Sequence, residues 1–209
     1  NGLKILRFNN KKFIYLISPS KIKKSFYNDL IEVLKYKKVG FFQLRLKKEN
    51  FKKKLLIGKK IKKICKKYDV KFLINDDVNL TKKLDADGCH LGQKDMNIFE
   101  ARKLIGKKII GITCHNSIKL ANIAVNNKAD YIALGAFYSS KTKKVKYRAP
   151  TRILKQVRKI IKTPIVAIGG INSSNYKKLL LNKANFLAIS GYIWNNKKLK
   201  PLEAIKKLK

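Results

Sequence analysis

Eight short apolar runs punctuate the chain, and their regular return limits the fold more than any other feature. They are "FIYLI" (13–17), "VGFFQL" (39–44), "KFLIN" (71–75), "GCHL" (88–91), "KIIGIT" (108–113), "YIALG" (131–135), "PIVAIGG" (164–170) and "NFLAISG" (185–191). Each is rich in β-branched and aromatic residues and too short for a buried helix, so each reads as a strand covered on both faces. Between them lie basic stretches with helical spacing. "YNDLIEVLKYKK" carries Leu30, Ile31, Val33 and Leu34, and "FKKKLLIGKKIKKICKKY" sets Leu55, Ile57, Ile61 and Ile64 toward one side. Strands alternating with helices predict a parallel β/α architecture. Eight such units in 209 residues close most economically as a single-domain (β/α)8 TIM barrel spanning residues 1–209, near the small end of that fold. An open doubly wound sheet is the other arrangement. The missing G-x-G-x-x-G after the first strand weakens its dinucleotide-binding form.

The charge of the chain is extreme. Fifty-one Lys and Arg against 12 Asp and Glu give a formal net charge of +39. Only six of the cations are Arg, and the lysines are spread along the chain rather than gathered in a tail. That distribution reads first as compositional bias on solvated helix faces. Nucleic-acid binding through a basic face and attraction of small anions are the other readings. The odd count of three cysteines, Cys65, Cys89 and Cys114, with no C-x-x-C pair, gives no disulfide framework or zinc ribbon and suits a reducing cytoplasm. No apolar run approaches a membrane span. The basic start before "FIYLI" is too short in its apolar part for a signal peptide. Homo-oligomerisation is left open.

In a (β/α)8 barrel the chemistry sits at the C-terminal ends of the strands. Strand two ends in "QLRLK", where Gln43, Arg45 and Lys47 alternate and share a face. Strand three ends in Asn75 and Asp76, the fourth unit reaches Asp95, and strand five ends in Thr113. Strand six runs into Ser140, Thr142 and Lys143 within "YSSKTKKVKYRAP" (138–150), a long stretch without apolar pattern. Strand seven ends in Gly169 and Gly170, and strand eight in Ser190 and Gly191. The residue types complement one another. Paired carboxylates suit Mg²⁺, a hard cation that takes oxygen ligands and substrate phosphates. Arg45, Lys47 and Lys143 suit phosphate oxygens, and the glycines let backbone N–H groups approach a phosphate. The set describes a site for a phosphorylated substrate with Mg²⁺. Asp76 and Asp95 also stand where helix N-caps occur. Asp77, Asp85 and Asp87 read as helix-start and turn residues, and Cys89-His90 and Cys114-His115 as buried packing rather than a zinc site.

The motifs "QLRLK", "IND" (74–76), "ADGCHLGQKD" (86–95), "GITCH" (111–115), "ADYIALGAFYSSKTK" (129–143) and "TPIVAIGGI" (163–171) together resemble the thiamine phosphate synthase family over nearly the whole chain. The resemblance implies a (β/α)8 barrel that joins hydroxymethylpyrimidine diphosphate to a thiazole phosphate, releasing pyrophosphate. It assigns Gln43, Arg45, Lys47 and Asn75 to the pyrimidine diphosphate, Asp76 and Asp95 to Mg²⁺, and Thr113 to the leaving diphosphate. Ser140, Thr142 and Lys143 match the loop that contacts phosphate and thiazole; Gly169, Gly170, Ser190 and Gly191 match the thiazole-phosphate cradle. Arg45, Lys47, Thr113 and Lys143 carry the catalytic roles. The sequence departs from the family pattern at Thr113 and Gly191, where Ser is usual, at Ser140 for Thr, and at Ala136 for Pro. The implied partners are small phosphorylated molecules in the cytoplasm, with no specific nucleic acid and no membrane. Two alternatives stand beside this reading: an isomerase like the related thiazole tautomerases, which do not need the paired carboxylates, and a basic nucleic-acid binder.

Overall fold

The computed structural model describes residues 11–140 and 145–209. Eight parallel strands close into one barrel in sequence order: β1 (Ile14–Ile17), β2 (Val39–Leu44), β3 (Lys71–Asn75), β4 (Gly88–Leu91), β5 (Ile109–Thr113), β6 (Tyr131–Gly135), β7 (Ile165–Ile168) and β8 (Phe186–Ile189). The sequence placed every strand to within a few residues of these bounds. The helices α1 (Phe26–Lys35), α2 (Phe51–Lys67), α3 (Val78–Leu84), α4 (Ile98–Ile105), α5 (Ile118–Asn126), α6 (Arg152–Ile160) and α7 (Tyr176–Leu181) follow the first seven strands. A four-residue turn of helix, α8 (Gly191–Trp194), and a last helix, α9 (Pro201–Lys206), follow β8.

The period-2 pleat splits each strand between two cores. One face packs outward against the helices. The other fills the barrel with Tyr15, Phe41, Leu73, Ile109, Tyr131 and Phe186, joined by smaller residues. Phe41 and Phe186 meet edge to face with centroids 4.9 Å apart. Room for the Tyr131 ring exists because its neighbour on β5 is Gly111: a Cβ there would lie 1.8 Å from Tyr131 Cζ.

At the N-terminal end of the barrel the same joint recurs three times. The residue before β4, β6 or β8 accepts an early strand N–H of the preceding strand: Asp87 from Phe72, Asp130 from Ile110, Asn185 from Ile165. Asp130 is also held by Arg102 at 2.6 Å, and Asn185 by Arg158. At the opposite end, helix starts are closed by their own side chains. Asn50, Asp77, Asn97 and Ser117 each accept from the backbone N–H three residues on. The caps of α3 and α4 are therefore Asp77 and Asn97, which leaves Asp76 and Asp95 free of that duty.

Candidate active site

The C-terminal strand ends bring the β2, β3 and β4 residues together. Gln43 lies buried inside the barrel, Arg45 is half-buried at its rim, and Lys47 is exposed above them. Ser18, just past β1, fixes this rim. Its Oγ accepts from Arg45 N at 2.9 Å, and its own N–H donates to Gln43 O. Burial pulls the Arg45 guanidinium down from its ordinary value, and the charge of Asp76 opposes that shift. Burial removes competing water from a fork of donors, which strengthens any anion it meets.

Asp76 turns sharply off β3 in the left-handed region, φ 64°, with its N–H donating to His90 O across the β3–β4 junction. That conformation is tolerated by Asp and Asn better than by most residues, and such strain gathers at functional positions. The turn brings Asp76 to Lys47 Nζ at 3.3 Å and to the side chain of Asp95. Asp95 is held from the other side by Gly92 N at 2.7 Å. Burial, then its contact with Asp76, lifts the Asp95 carboxyl above its usual range, with Gly92 and Lys47 pulling the other way. Two carboxylates are thus crowded together beside a half-buried guanidinium. A cavity of about 210 Å³ opens at this edge, lined by Lys47, Lys54, Asn75 and Asp76 over the apolar Leu44, Leu46, Ile74 and Leu80.

Across the mouth, Thr113 ends β5. Its Oγ1 lies 2.7 Å from His90 Nε2, and its carbonyl accepts from Gln93 Nε2 at 2.6 Å. Gly169 and Gly170, both at positive φ (112° and 59°), turn the chain beneath the segment that follows β6. A Cβ at Gly169 would lie 2.4 Å from Ala136 Cβ, and one at Gly170 would lie 2.3 Å from Ser139 O. Glycine is therefore required twice over, by φ and by contact. Tyr138 N donates to Gly169 O, which holds the approach to Ser140 against β7. The backbone of 147–149 pairs with Ala136. Ser190 Oγ donates to Ser18 O at 3.2 Å, tying the end of β8 to that of β1 ahead of Gly191. Thr142 and Lys143 lie outside the described residues.

Three contributors were not among the expected site residues, and one of them, His90, was expected to be buried packing. His90 and Gln93 stood inside a quoted motif, and Ser18 follows "YLI". Cys89 is buried as packing, whereas His90, its neighbour, points inward beside Asn75 and Gly111. Burial pulls the His90 imidazole down to about 4, with Asp76 opposing, so it is neutral near pH 7. No helix among the described residues is long and apolar enough to cross a membrane.

The sequence pattern of the family described as thiamine monophosphate synthase matches residues 14–193. A thiamine-phosphate synthase of Pelagibacter ubique is 71% identical over 201 residues, covering 96% of this chain and 97% of that one. One from Erythrobacter litoralis is 40% identical over 187 residues, covering 87% and 88%. The solved thiamine phosphate pyrophosphorylase of Pyrococcus furiosus superposes with a TM-score of 0.84 at 27% identity, covering 95% of this chain and 94% of that one.

Proposed function

The chain belongs to the thiamine monophosphate synthase family, and we propose how its barrel mouth makes thiamine phosphate. It is a transferase of thiamine biosynthesis, a thiamine-phosphate synthase; neither the tautomerase-like isomerase nor the nucleic-acid binder is supported. The proposed substrates are the hydroxymethylpyrimidine diphosphate and a thiazole phosphate, met in a cytoplasm whose reducing conditions suit three buried free cysteines.

The observation that carries the residue assignment is the meeting of Arg45, Lys47, Asp76 and Asp95 at three neighbouring strand ends. Arg45 and Lys47 bind the diphosphate oxygens, and Gln43 and Asn75 place the pyrimidine below them. The crowded pair Asp76 and Asp95 offers only oxygen donors, and Asp95 stays lifted by Asp76 even with Lys47 beside them, which fits a hard divalent ion. Mg²⁺ bound there would supply positive charge to the diphosphate. Thr113 faces the departing group from β5. Gly169, Gly170, Ser190 and Gly191 receive the thiazole phosphate, and the motif assigns Ser140, Thr142 and Lys143 to phosphate and thiazole contacts.

The bond from the pyrimidine methylene carbon to the diphosphate oxygen breaks, and its electron pair leaves with the diphosphate. The resulting pyrimidine-methyl cation is captured by the lone pair of the thiazole nitrogen, forming the new C–N bond. No protein nucleophile is needed. The chain's contribution is positioning of the two substrates and electrostatic stabilisation of the leaving group. The test is incubation of the purified protein with both substrates and Mg²⁺. Thiamine phosphate and pyrophosphate should appear in equal amounts and cease with chelator. Tautomerisation of a thiazole carboxylate phosphate without coupling would refute the assignment.

A further inference from the structure

A row of polar side chains crosses the interior of the barrel, an odd place for them. Gln43 Nε2 donates to Tyr15 OH over 2.8 Å. Tyr15 OH and Tyr131 OH are 2.6 Å apart, Tyr131 OH is 2.8 Å from His90 Nδ1, and His90 Nε2 is 2.7 Å from Thr113 Oγ1. These residues come from β2, β1, β6, β4 and the C-terminal end of β5. Both tyrosines are 1% exposed and Gln43 is 3% exposed. A barrel interior packs well with aliphatic side chains alone, and a buried polar row is tolerated only when every member is satisfied. Gly111 is kept bare to admit the Tyr131 ring, on which His90 stacks with centroids 5.7 Å apart.

The row has a direction. The Gln43 amide nitrogen can only donate, so Tyr15 OH accepts from it. Tyr15 then has one proton to place, and Tyr131 OH is its remaining hydrogen-bond partner among the described residues. Were Tyr131 to donate to Tyr15 instead, the Tyr15 proton would be stranded in the core, at a cost of about 1–3 kcal/mol. So Tyr15 donates to Tyr131, and Tyr131 donates to His90 Nδ1. A neutral imidazole that accepts at Nδ1 carries its proton on Nε2, and it donates that to Thr113 Oγ1. The Thr113 proton is left for an acceptor in the mouth. Burial keeps both phenols protonated, as this polarity needs.

We propose that Gln43, Tyr15, Tyr131 and His90 form a one-way hydrogen-bond relay that fixes the Thr113 hydroxyl as a donor toward the departing diphosphate. With the opposite polarity, Thr113 would donate to His90 and turn only lone pairs to an anion. The relay rests on the reading of Thr113 as a diphosphate contact. Tyr15, Tyr131 and His90 are positioning residues that act through Thr113.

The chain has two histidines, so ¹⁵N-histidine NMR of the full protein with Mg²⁺ reads the relay directly, His115→Gln assigning the His90 signals. His90 should be protonated at Nε2 with an unprotonated Nδ1. Tyr131→Phe removes the donor to Nδ1, so the tautomers should mix. Its kcat should fall about ten-fold or more while both KM values stay within about two-fold, the mark of an interaction used in the transition state. Thr113→Val should lose similar turnover yet keep the Nε2–H form. A wild-type His90 protonated at Nδ1 overturns the relay, and needs no variant to fold. Wild-type kcat in Tyr131→Phe overturns it as well. Wild-type turnover in Thr113→Val, with the Nε2–H tautomer intact, overturns instead the Thr113 assignment and with it the relay's purpose.

Discussion

The two carboxylates past the ends of β3 and β4 do opposite things for stability and for catalysis. Asp95 is lifted by burial and by Asp76, so their mutual repulsion is a cost the folded protein carries. Asp95→Asn should therefore leave the melting temperature unchanged or raise it without added metal, measured by a thermal scan in chelator. A clear fall would show Asp95 to be a structural residue. Arg45 works differently. Arg45→Lys keeps the charge but loses the planar fork that grips two oxygens, and should raise KM for the pyrimidine diphosphate about ten-fold with steady-state kinetics as the check. Arg45 and Asp76 were readable because each is a charged type standing where an apolar run stops, and Asp95 because it follows one closely. His90 and the two tyrosines were not. In a four-residue run such as "GCHL", which residue faces inward depends on register with neighbouring strands, and only closure supplies that. Tyr15 and Tyr131 sit in runs that look apolar throughout, so the pleat that turns their hydroxyls together leaves no trace in residue type.

At the scale of the elements, the two ends of the barrel divide the work. The N-terminal end holds strands in register through Asp87, Asp130 and Asn185, far from the mouth. Asp130→Ala would orphan Ile110 N–H and uncouple Arg102, and should cost about 1–3 kcal/mol of stability in urea unfolding while the folded enzyme keeps its turnover. At the mouth end, the capping of α3 by Asp77 and α4 by Asn97 settles which acidic residues are left for chemistry. Sequence alone left the choice between cap and ligand open for Asp76 and Asp95, because both follow a strand and precede a helix. The deciding detail is the turn geometry, with Asp76 at φ 64° passing the cap to its neighbour.

At the scale of the molecule, the formal charge of +39 sets a field whatever its origin. Substrates carrying several negative charges approach a cationic body, and salt screens that approach over about 10 Å at 0.1 M. The value of kcat/KM for the pyrimidine diphosphate should fall about ten-fold between low and high ionic strength, while kcat at saturation moves little. A flat salt profile would show the lysines to be solvated composition alone. The barrel itself was legible from strand count and spacing, since eight β runs in 209 residues leave few closures open.

The proposed joint action of Asp76 and Asp95 in pyrophosphate release can be followed against Mg²⁺ concentration in the wild type and in the double variant Asp76→Asn, Asp95→Asn. The wild type should release pyrophosphate only with Mg²⁺, and the double variant should fall at least about a hundred-fold at every concentration, the scale expected for lost electrostatic stabilisation. Release from the double variant at the wild-type rate and the same Mg²⁺ midpoint would contradict it.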